Sequence, residues 1–299
     1  MASFNSWIKA ARPRTLPLAL ASIAMGGFLA STVQGFNLDV VIVAGITTVF
    51  LQILSNLAND YGDSRSGVDG KNRIGPARTV QTGEISAKAM KAAMGVFVIL
   101  SLISGLLLIF MAASLPIKGS VAFLLFGATA IVAAITYTVG KKPYGYIGLG
   151  DLFVFIFFGL LGVKGTWYLA TQTFEPLVLL PAAAMGLLSA GVINLNNMRD
   201  MESDKQCGKV TVASKIGLRY AFYYQCLLVL LPFVLLSGYV VLSGAPARVF
   251  MLFGLLPFYI TDLQSLRRTF GGAGIDPFLP KLSVKILFLT VVFGVLLTW

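Results

Sequence analysis

Apolar runs recur along the whole chain, separated by polar connections of alternating length. A helix needs about 20 apolar residues to cross a hydrocarbon core. On that measure the pattern predicts nine membrane-spanning helices, at residues 15–34, 38–59, 88–113, 117–138, 148–171, 175–198, 219–242, 246–263 and 281–299. The connections at 35–37, 114–116, 172–174 and 243–245 are very short, whereas those at 60–87, 139–147, 199–218 and 264–280 are longer and polar. No stretch reads as a second, soluble unit. The expectation is an all-α polytopic membrane protein whose residues 1–299 form a single domain in the lipid bilayer.

Composition agrees with the pattern. The chain is 57% hydrophobic and 12% charged, with mean hydropathy +0.85; a soluble domain carries about 25% charged residues. The first 16 residues lack the apolar segment and small-residue cleavage site of a secretory signal. Instead Trp7, Ile8, the basic residues around them, Pro13 and Pro17 read as a short interfacial helix leading into span one. Cys207 and Cys226 do not make a disulfide framework. Histidine is absent, so any metal site must draw on oxygen or sulfur, and the supply of carboxylates and amides favours Mg2+.

The net charge of +11 changes meaning once it is placed on the chain. Twenty of the 23 Lys and Arg residues lie at the N-terminus or on the longer-loop side; Lys118, Lys164 and Arg248 are the remainder. By the positive-inside rule the N-terminus and the longer loops are cytoplasmic. That placement accounts for most of the excess without nucleic acid.

It does not account for the acids among those bases. One window, "NLANDYGDSRSGVD", carries Asp60, Asp63 and Asp69; another, "NLNNMRDMESDKQCGK", carries Asp200, Glu202 and Asp204, and Glu84 lies nearby in the first long loop. Both windows stand where an even-numbered span leaves the membrane, spans two and six, as in a weak internal repeat of two facing half-sites. Asn56 and Asp60, Asn59 and Asp63, and Asn196, Asp200 and Asp204 follow at four-residue steps, which share a helix face. Acids at helix C-termini are unfavourable and like charges in a row repel, so the pattern calls for cations. These oxygens suit Mg2+ that shares its shell with a phosphate. Asp60, Asp63, Asp200 and Asp204 are the expected catalytic carboxylates; with Asn56, Asn59, Asp69 and Asn196 they form the expected metal set. Lys71, Arg73, Arg78, Tyr137, Lys142, Arg199, Lys205 and Lys209 surround them, as a polyanion such as a diphosphate requires.

The two windows resemble the paired aspartate-rich motifs of the intramembrane aromatic prenyltransferase (UbiA) superfamily. "RPRTLPLA", "SNLANDYGD", "RIGPARTVQTGEIS" and "AAITYTVGKKPYGYIGLGD" resemble its branch acting on 1,4-dihydroxy-2-naphthoate in menaquinone synthesis; the likeness runs from about residue 7 to 220. The first window has five residues between Asp63 and Asp69 where many members have three, and the second begins with Asn196 rather than Asp. The resemblance implies nine helices around a central cavity capped by cytoplasmic loops. It implies Mg2+-dependent transfer of a polyprenyl group, octaprenyl as the first expectation, from polyprenyl diphosphate to 1,4-dihydroxy-2-naphthoate, with loss of diphosphate and CO2 to give demethylmenaquinone. The acceptor carboxylate needs a cationic anchor; Arg12 and Arg14 are candidates, and the resemblance prefers Arg12.

Asp151 stays open on sequence as a site residue or a helix cap, and the aromatics of span five, which could line a tail, are expected to serve bundle packing. The rival within the enzyme class is prenylation of another acceptor, 4-hydroxybenzoate, homogentisate or a haem. The rival outside it is a cation-coupled transporter, whose acids would cluster at the bilayer midplane rather than at one face.

Overall fold

The computed structural model describes residues 2–66, 75–112, 117–269 and 272–299, and of Lys118 the backbone alone. Among these residues there are nine helices long and apolar enough to cross a membrane: Phe4–Ala30, Leu38–Ser66, Ala87–Met111, Gly119–Thr136, Gly150–Thr171, Pro176–Arg199, Val212–Ser243, Ala247–Thr269 and Gly272–Thr298. They are numbered here as spans one to nine. Apart from one isolated bridge, Ile147 with Val210, no β-pairing occurs among the described residues.

Local chemistry explains several helix ends. Ser3 caps Phe4–Ala11 by accepting the Ser6 N–H, and Arg12 then takes a left-handed conformation (φ 50°). Pro13–Thr15 makes a single tight turn, and the transmembrane part, Leu16–Ala30, begins with a proline in its first turn. The short helix is tethered from outside: Ser6 Oγ donates to Glu84 at 2.8 Å and Lys9 Nζ lies 3.1 Å from the same carboxylate. Ser86 caps span three, a reciprocal Thr211–Ser214 capping box opens span seven, and Gly244 closes that span at φ 67°. Span seven starts seven residues before the expected 219, because its first turn is joined to the rest across a break at Gly217 (φ 79°, ψ 161°).

The buried side chains form two clusters. Leu54, Leu57, Met90, Met94 and Ile131 join spans two, three and four. Met25, Val163, Leu188, Phe233 and Leu289 join spans one, five, six, seven and nine, with span six the most buried. The two acidic windows thus hang from different clusters, one from span two and one from span six. In lipid no hydrophobic force separates helix from membrane, so close packing must supply the association. Glycines permit it: a Cβ on Gly159 would lie 2.7 Å from Gly186 Cα, and one on Gly26 would lie 2.5 Å from the Val163 carbonyl. The outward face of span three (Ile99, Ile103, Leu107, Phe110) is exposed and apolar, as a lipid-facing surface is.

Candidate active site

Span two carries Asn56, Asn59, Asp60 and Asp63 in its last three turns, and Gly62 in that stretch is needed for close packing. A Cβ there would stand 2.7 Å from both the carbonyl oxygen and Oγ1 of Thr138 at the end of span four. The approach lets Thr138 Oγ1 reach the Ala58 carbonyl at 3.0 Å and Asn59 Oδ1 at 3.2 Å. Tyr137 is clamped similarly: a Cβ on Gly145 would lie 2.9 Å from its ring, and one on Gly150 would lie 3.3 Å from its hydroxyl.

Between the two clusters lies a cavity of about 440 Å3. Its polar end is lined by Asn56, Asn59, Asp63 and Arg78 from the first half, and by Asn196, Asp200, Asp204 and Lys209 from the second; Tyr137 and Thr138 stand between them. Arg12, Arg14 and Thr15 enter from the N-terminal turn. The other end is apolar, with Leu102, Leu106, Phe123, Phe157 and Leu161 on its wall. An aromatic file runs from one end towards the other: Tyr137 meets Tyr144 edge-on at 5.3 Å, Tyr144 stacks on Phe153 at 4.2 Å, and Phe153 on Phe157 at 6.1 Å. Of the aromatics of span five, Phe153, Phe157 and Phe158 line the cavity, whereas Phe155, Trp167 and Tyr168 do not. Phe157 and Phe158 do so from a stretch, Phe155–Gly165, that is wound as a π-helix, a rare form often found at functional sites.

Each cavity carboxylate has its own cation. Asp63 receives Arg78 Nη2 at 2.8 Å on one oxygen and the Tyr146 hydroxyl at 2.6 Å on the other. Arg199 binds Asp200 through two parallel hydrogen bonds, at 2.8 and 2.7 Å. Lys209 Nζ lies 3.0 Å from Asp204 Oδ2. Burial opposes the Lys209 charge, but Asp204, Asp63 and Asp200 together hold its ammonium above the usual lysine range. Burial, reinforced by Asp151, Asp63 and Asp204, pushes the Tyr137 phenol up, so it stays a hydrogen-bond donor at neutral pH.

The expected residues sort unevenly on this geometry. Asn56, Asn59, Asp63, Asn196, Asp200, Asp204, Arg78, Tyr137, Lys209 and Arg12 come together at the cavity. Asp60 does not line it. Its two oxygens accept the Thr79 N–H at 3.0 Å, the Thr79 hydroxyl at 2.8 Å and the Val80 N–H at 3.1 Å, so it anchors the loop that brings Arg78 to Asp63. Asn56 lines the cavity but also donates to the Ala11 carbonyl and to Thr15 Oγ1, tying the N-terminal turn to span two. Lys142 and Lys205 are exposed and off the cavity. Arg199 is fully buried behind it, engaged with Asp200, Asn196 and Asp276. Asp69, Lys71 and Arg73 fall outside the described residues.

One expectation about local structure needs correcting. Asn196, Asp200 and Asp204 do not share one continuous helix face. The helix Leu179–Arg199 ends there, Asp200 (φ −91°, ψ 7°) turns the chain, and Met201–Gln206 begins a short new helix with Glu202 and Asp204 in its first turn. All three side chains stay on the cavity, and because the Asp204 N–H still bonds the Asp200 carbonyl at 2.8 Å, the two like charges are offset by Arg199 and Lys209 rather than by separation. The sequence reading also passed over Tyr146, Thr138 and Asp276. Asp276 lies 77 positions from the arginine it pairs with, and no local pattern marks it.

The donors facing the cavity are carboxylate and amide oxygens, a set that fits a hard divalent cation. Asp204 Oδ2 is buried and engaged by Lys209 Nζ at 3.0 Å, and a carboxylate oxygen so held still has a second lone pair for such an ion. No three acidic side chains converge on a single point among the described residues. A cation here would complete its shell from a bound ligand.

Comparison with known proteins agrees with this architecture. The sequence profile of the UbiA prenyltransferase family matches residues 19–271. The chain is 50% identical over 224 residues to the 1,4-dihydroxy-2-naphthoate octaprenyltransferase of Haemophilus influenzae, covering 74% of this chain and 72% of that one. It is 48% identical over 225 residues to the Escherichia coli protein of the same name, covering 75% and 73%. Among solved structures, the apo UbiA homologue from Aeropyrum pernix superposes with a TM-score of 0.66 at 19% identity, over 94% of this chain and 96% of that one. The UbiA homologue from Archaeoglobus fulgidus, bound to DMAPP and Mg2+, gives 0.66 at 18% identity over 98% and 99%.

Proposed function

Because the chain belongs to the UbiA prenyltransferase family, we propose that it transfers an octaprenyl group from its diphosphate to 1,4-dihydroxy-2-naphthoate, with Mg2+ as the cation. The name shared by its bacterial relatives supports the acceptor and the chain length. The observation that carries the reading is a single cavity with oxygen donors and buried cations from both acidic windows at one end and an apolar, aromatic wall at the other.

Asp63, Asp200, Asp204, Asn59 and Asn196 would hold Mg2+ with the diphosphate. The metal, when bound, supplies positive charge to the diphosphate oxygens as the allylic C–O bond breaks. Arg78 and Lys209, on the same cavity beside Asp63 and Asp204, offset the charge of the same leaving group, which keeps the bond's electron pair. Tyr137 donates a hydrogen bond there, and the Tyr144–Phe153–Phe157 file offers ring faces to the allylic cation and excludes water. The ring carbon bearing the carboxylate forms the new C–C bond; the C–CO2 bond then breaks, its electrons restore aromaticity, and CO2 leaves. No protein base is required, which suits a chain without histidine. Arg12, on the same cavity, holds the acceptor carboxylate until then. The whole chain works as one domain. With 20 of 23 basic residues on the motif side, that side is cytoplasmic.

The experiment is prenyl transfer by purified protein in detergent, with 1,4-dihydroxy-2-naphthoate, octaprenyl diphosphate and Mg2+, in the presence and absence of EDTA. Metal-dependent demethylmenaquinol, oxidised in air to demethylmenaquinone, supports the reading. Product with 4-hydroxybenzoate alone would move the acceptor, and no product with any aromatic acceptor would refute it.

A further inference from the structure

A tyrosine outside both acidic windows joins them. Tyr146 lies in the turn Tyr144–Tyr146, in the connection between spans four and five. Its hydroxyl donates to Asp63 Oδ1 at 2.6 Å and lies 2.9 Å from Ser66 Oγ, both on the last turns of span two. Its backbone carbonyl accepts the Val210 N–H at 3.0 Å, beside the Ile147–Val210 bridge. Lys209, one residue earlier, places its ammonium 5.8 Å from the centroid of the Tyr146 ring and 3.0 Å from Asp204. One residue therefore touches a carboxylate of the first half-site and, through backbone and ring, the strip of chain that carries the lysine of the second.

The chemistry of Asp63 explains what this contact does. The carboxylate stands near the free end of a long helix and has two torsions about which to swing. Arg78, from the connection after span two, fixes one oxygen; Tyr146, from the connection after span four, fixes the other. With donors from two separate connections the carboxylate has one orientation, into the cavity. A tyrosine serving only as a packing ring would leave its hydroxyl elsewhere. A loop held only by the Val210 bridge would not need a hydroxyl.

We propose that Tyr146 is a positioning residue of the diphosphate end of the cavity: its hydroxyl aims Asp63 at the cation, and its backbone bridge keeps the Asp204–Lys209 half in register with it. The proposal rests on the prenyltransferase reading for its kinetic consequences, but not for its binding consequences. Hydrogen-bond partners of metal ligands are typically worth about 10- to 100-fold in metal affinity.

Tyr146→Phe removes one hydroxyl and retains the ring over Lys209 and the backbone bridge. Two titrations test it. In the transfer assay, the half-saturating Mg2+ concentration should rise about 10-fold, with KM for the prenyl diphosphate rising and KM for the naphthoate unchanged. Independently of turnover, the rise in melting temperature that Mg2+ with inorganic pyrophosphate gives the purified protein should require about 10-fold more Mg2+. Ser66→Ala, which spares the Tyr146–Asp63 bond, should titrate like the wild type in both. A Tyr146→Phe protein whose melting temperature responds to Mg2+ and pyrophosphate as the wild type does overturns the proposal. A wild-type protein without transfer activity overturns the prenyltransferase reading instead, and the melting titration still decides the role of Tyr146.

Discussion

Arg199 and Asp200, neighbours in the chain, close on each other as a two-bond ion pair, Nε to Oδ1 at 2.8 Å and Nη2 to Oδ2 at 2.7 Å. The geometry exists because the helix stops between them: the turn at Asp200 folds its carboxylate back onto the preceding guanidinium. Arg199 also binds Asn196 and Asp276, so this fully buried cation organises the second half-site from behind.

Replacing Arg199 by Gln leaves Asp200 buried without its cation. Loss of one partner of a buried pair costs about 3–5 kcal/mol. The expected outcome is a clear fall in the melting temperature of the purified protein together with lost transfer. Asp276→Asn, at a more exposed position, should lower both far less.

Asp60 and Asp63 are three residues apart on one helix, yet they should fail in different ways. Asp63→Ala removes a cavity oxygen and should abolish transfer at any Mg2+ concentration. Asp60→Ala unfastens the Thr79–Val80 loop that delivers Arg78. It should raise KM for the prenyl diphosphate and half-saturating Mg2+, as Arg78→Gln should, while retaining transfer at saturating concentrations because Tyr146 still holds Asp63. Kinetics across a Mg2+ series separates the two.

Gly62→Ala should be costly for a change of one methyl group. The new Cβ would stand 2.7 Å from the Thr138 backbone carbonyl, which cannot move without shifting the end of span four. Overpacking of this kind costs about 1–3 kcal/mol. The shift also moves Tyr137 and Thr138 relative to Asn59, so transfer should fall by at least about 10-fold, the rate equivalent of 1.4 kcal/mol. Gly95→Ala, where nothing lies within 4 Å of the added Cβ, is the matched control and should behave as wild type.

Chelation should stop the reaction without unfolding the protein. Asp63, Asp200 and Asp204 are neutralised internally by Arg78, Arg199 and Lys209, so the metal-free site is not a ring of bare carboxylates. EDTA is therefore expected to abolish transfer while leaving the melting temperature of the substrate-free protein unchanged. A large drop on chelation would mean that metal is part of the fold.

Hydropathy alone placed the nine spans, because a bilayer permits few ways to satisfy a backbone and each requires a long apolar run. Charge placement, the four-residue steps and the absence of histidine pointed to a metal–diphosphate site, because these are properties of residue type and local spacing. Asn59, Asp63, Asn196, Asp200, Asp204, Arg78 and Lys209 were legible on those grounds. Local spacing failed where a side chain's partner is distant in sequence. Asp60 and Asp63 look alike in the chain, and only the path of the loop at Thr79 turns one to structure and leaves the other at the cavity. Arg199, Lys142 and Lys205 look like equivalent site cations, yet one is sealed behind Asp200 and two face outward. The interruption at Asp200, the pairing of Arg199 with Asp276 and the bridge from Tyr146 to Asp63 were set by tertiary packing. A carboxylate takes whichever donors the fold brings within 3 Å of it, and the sequence does not state which those are.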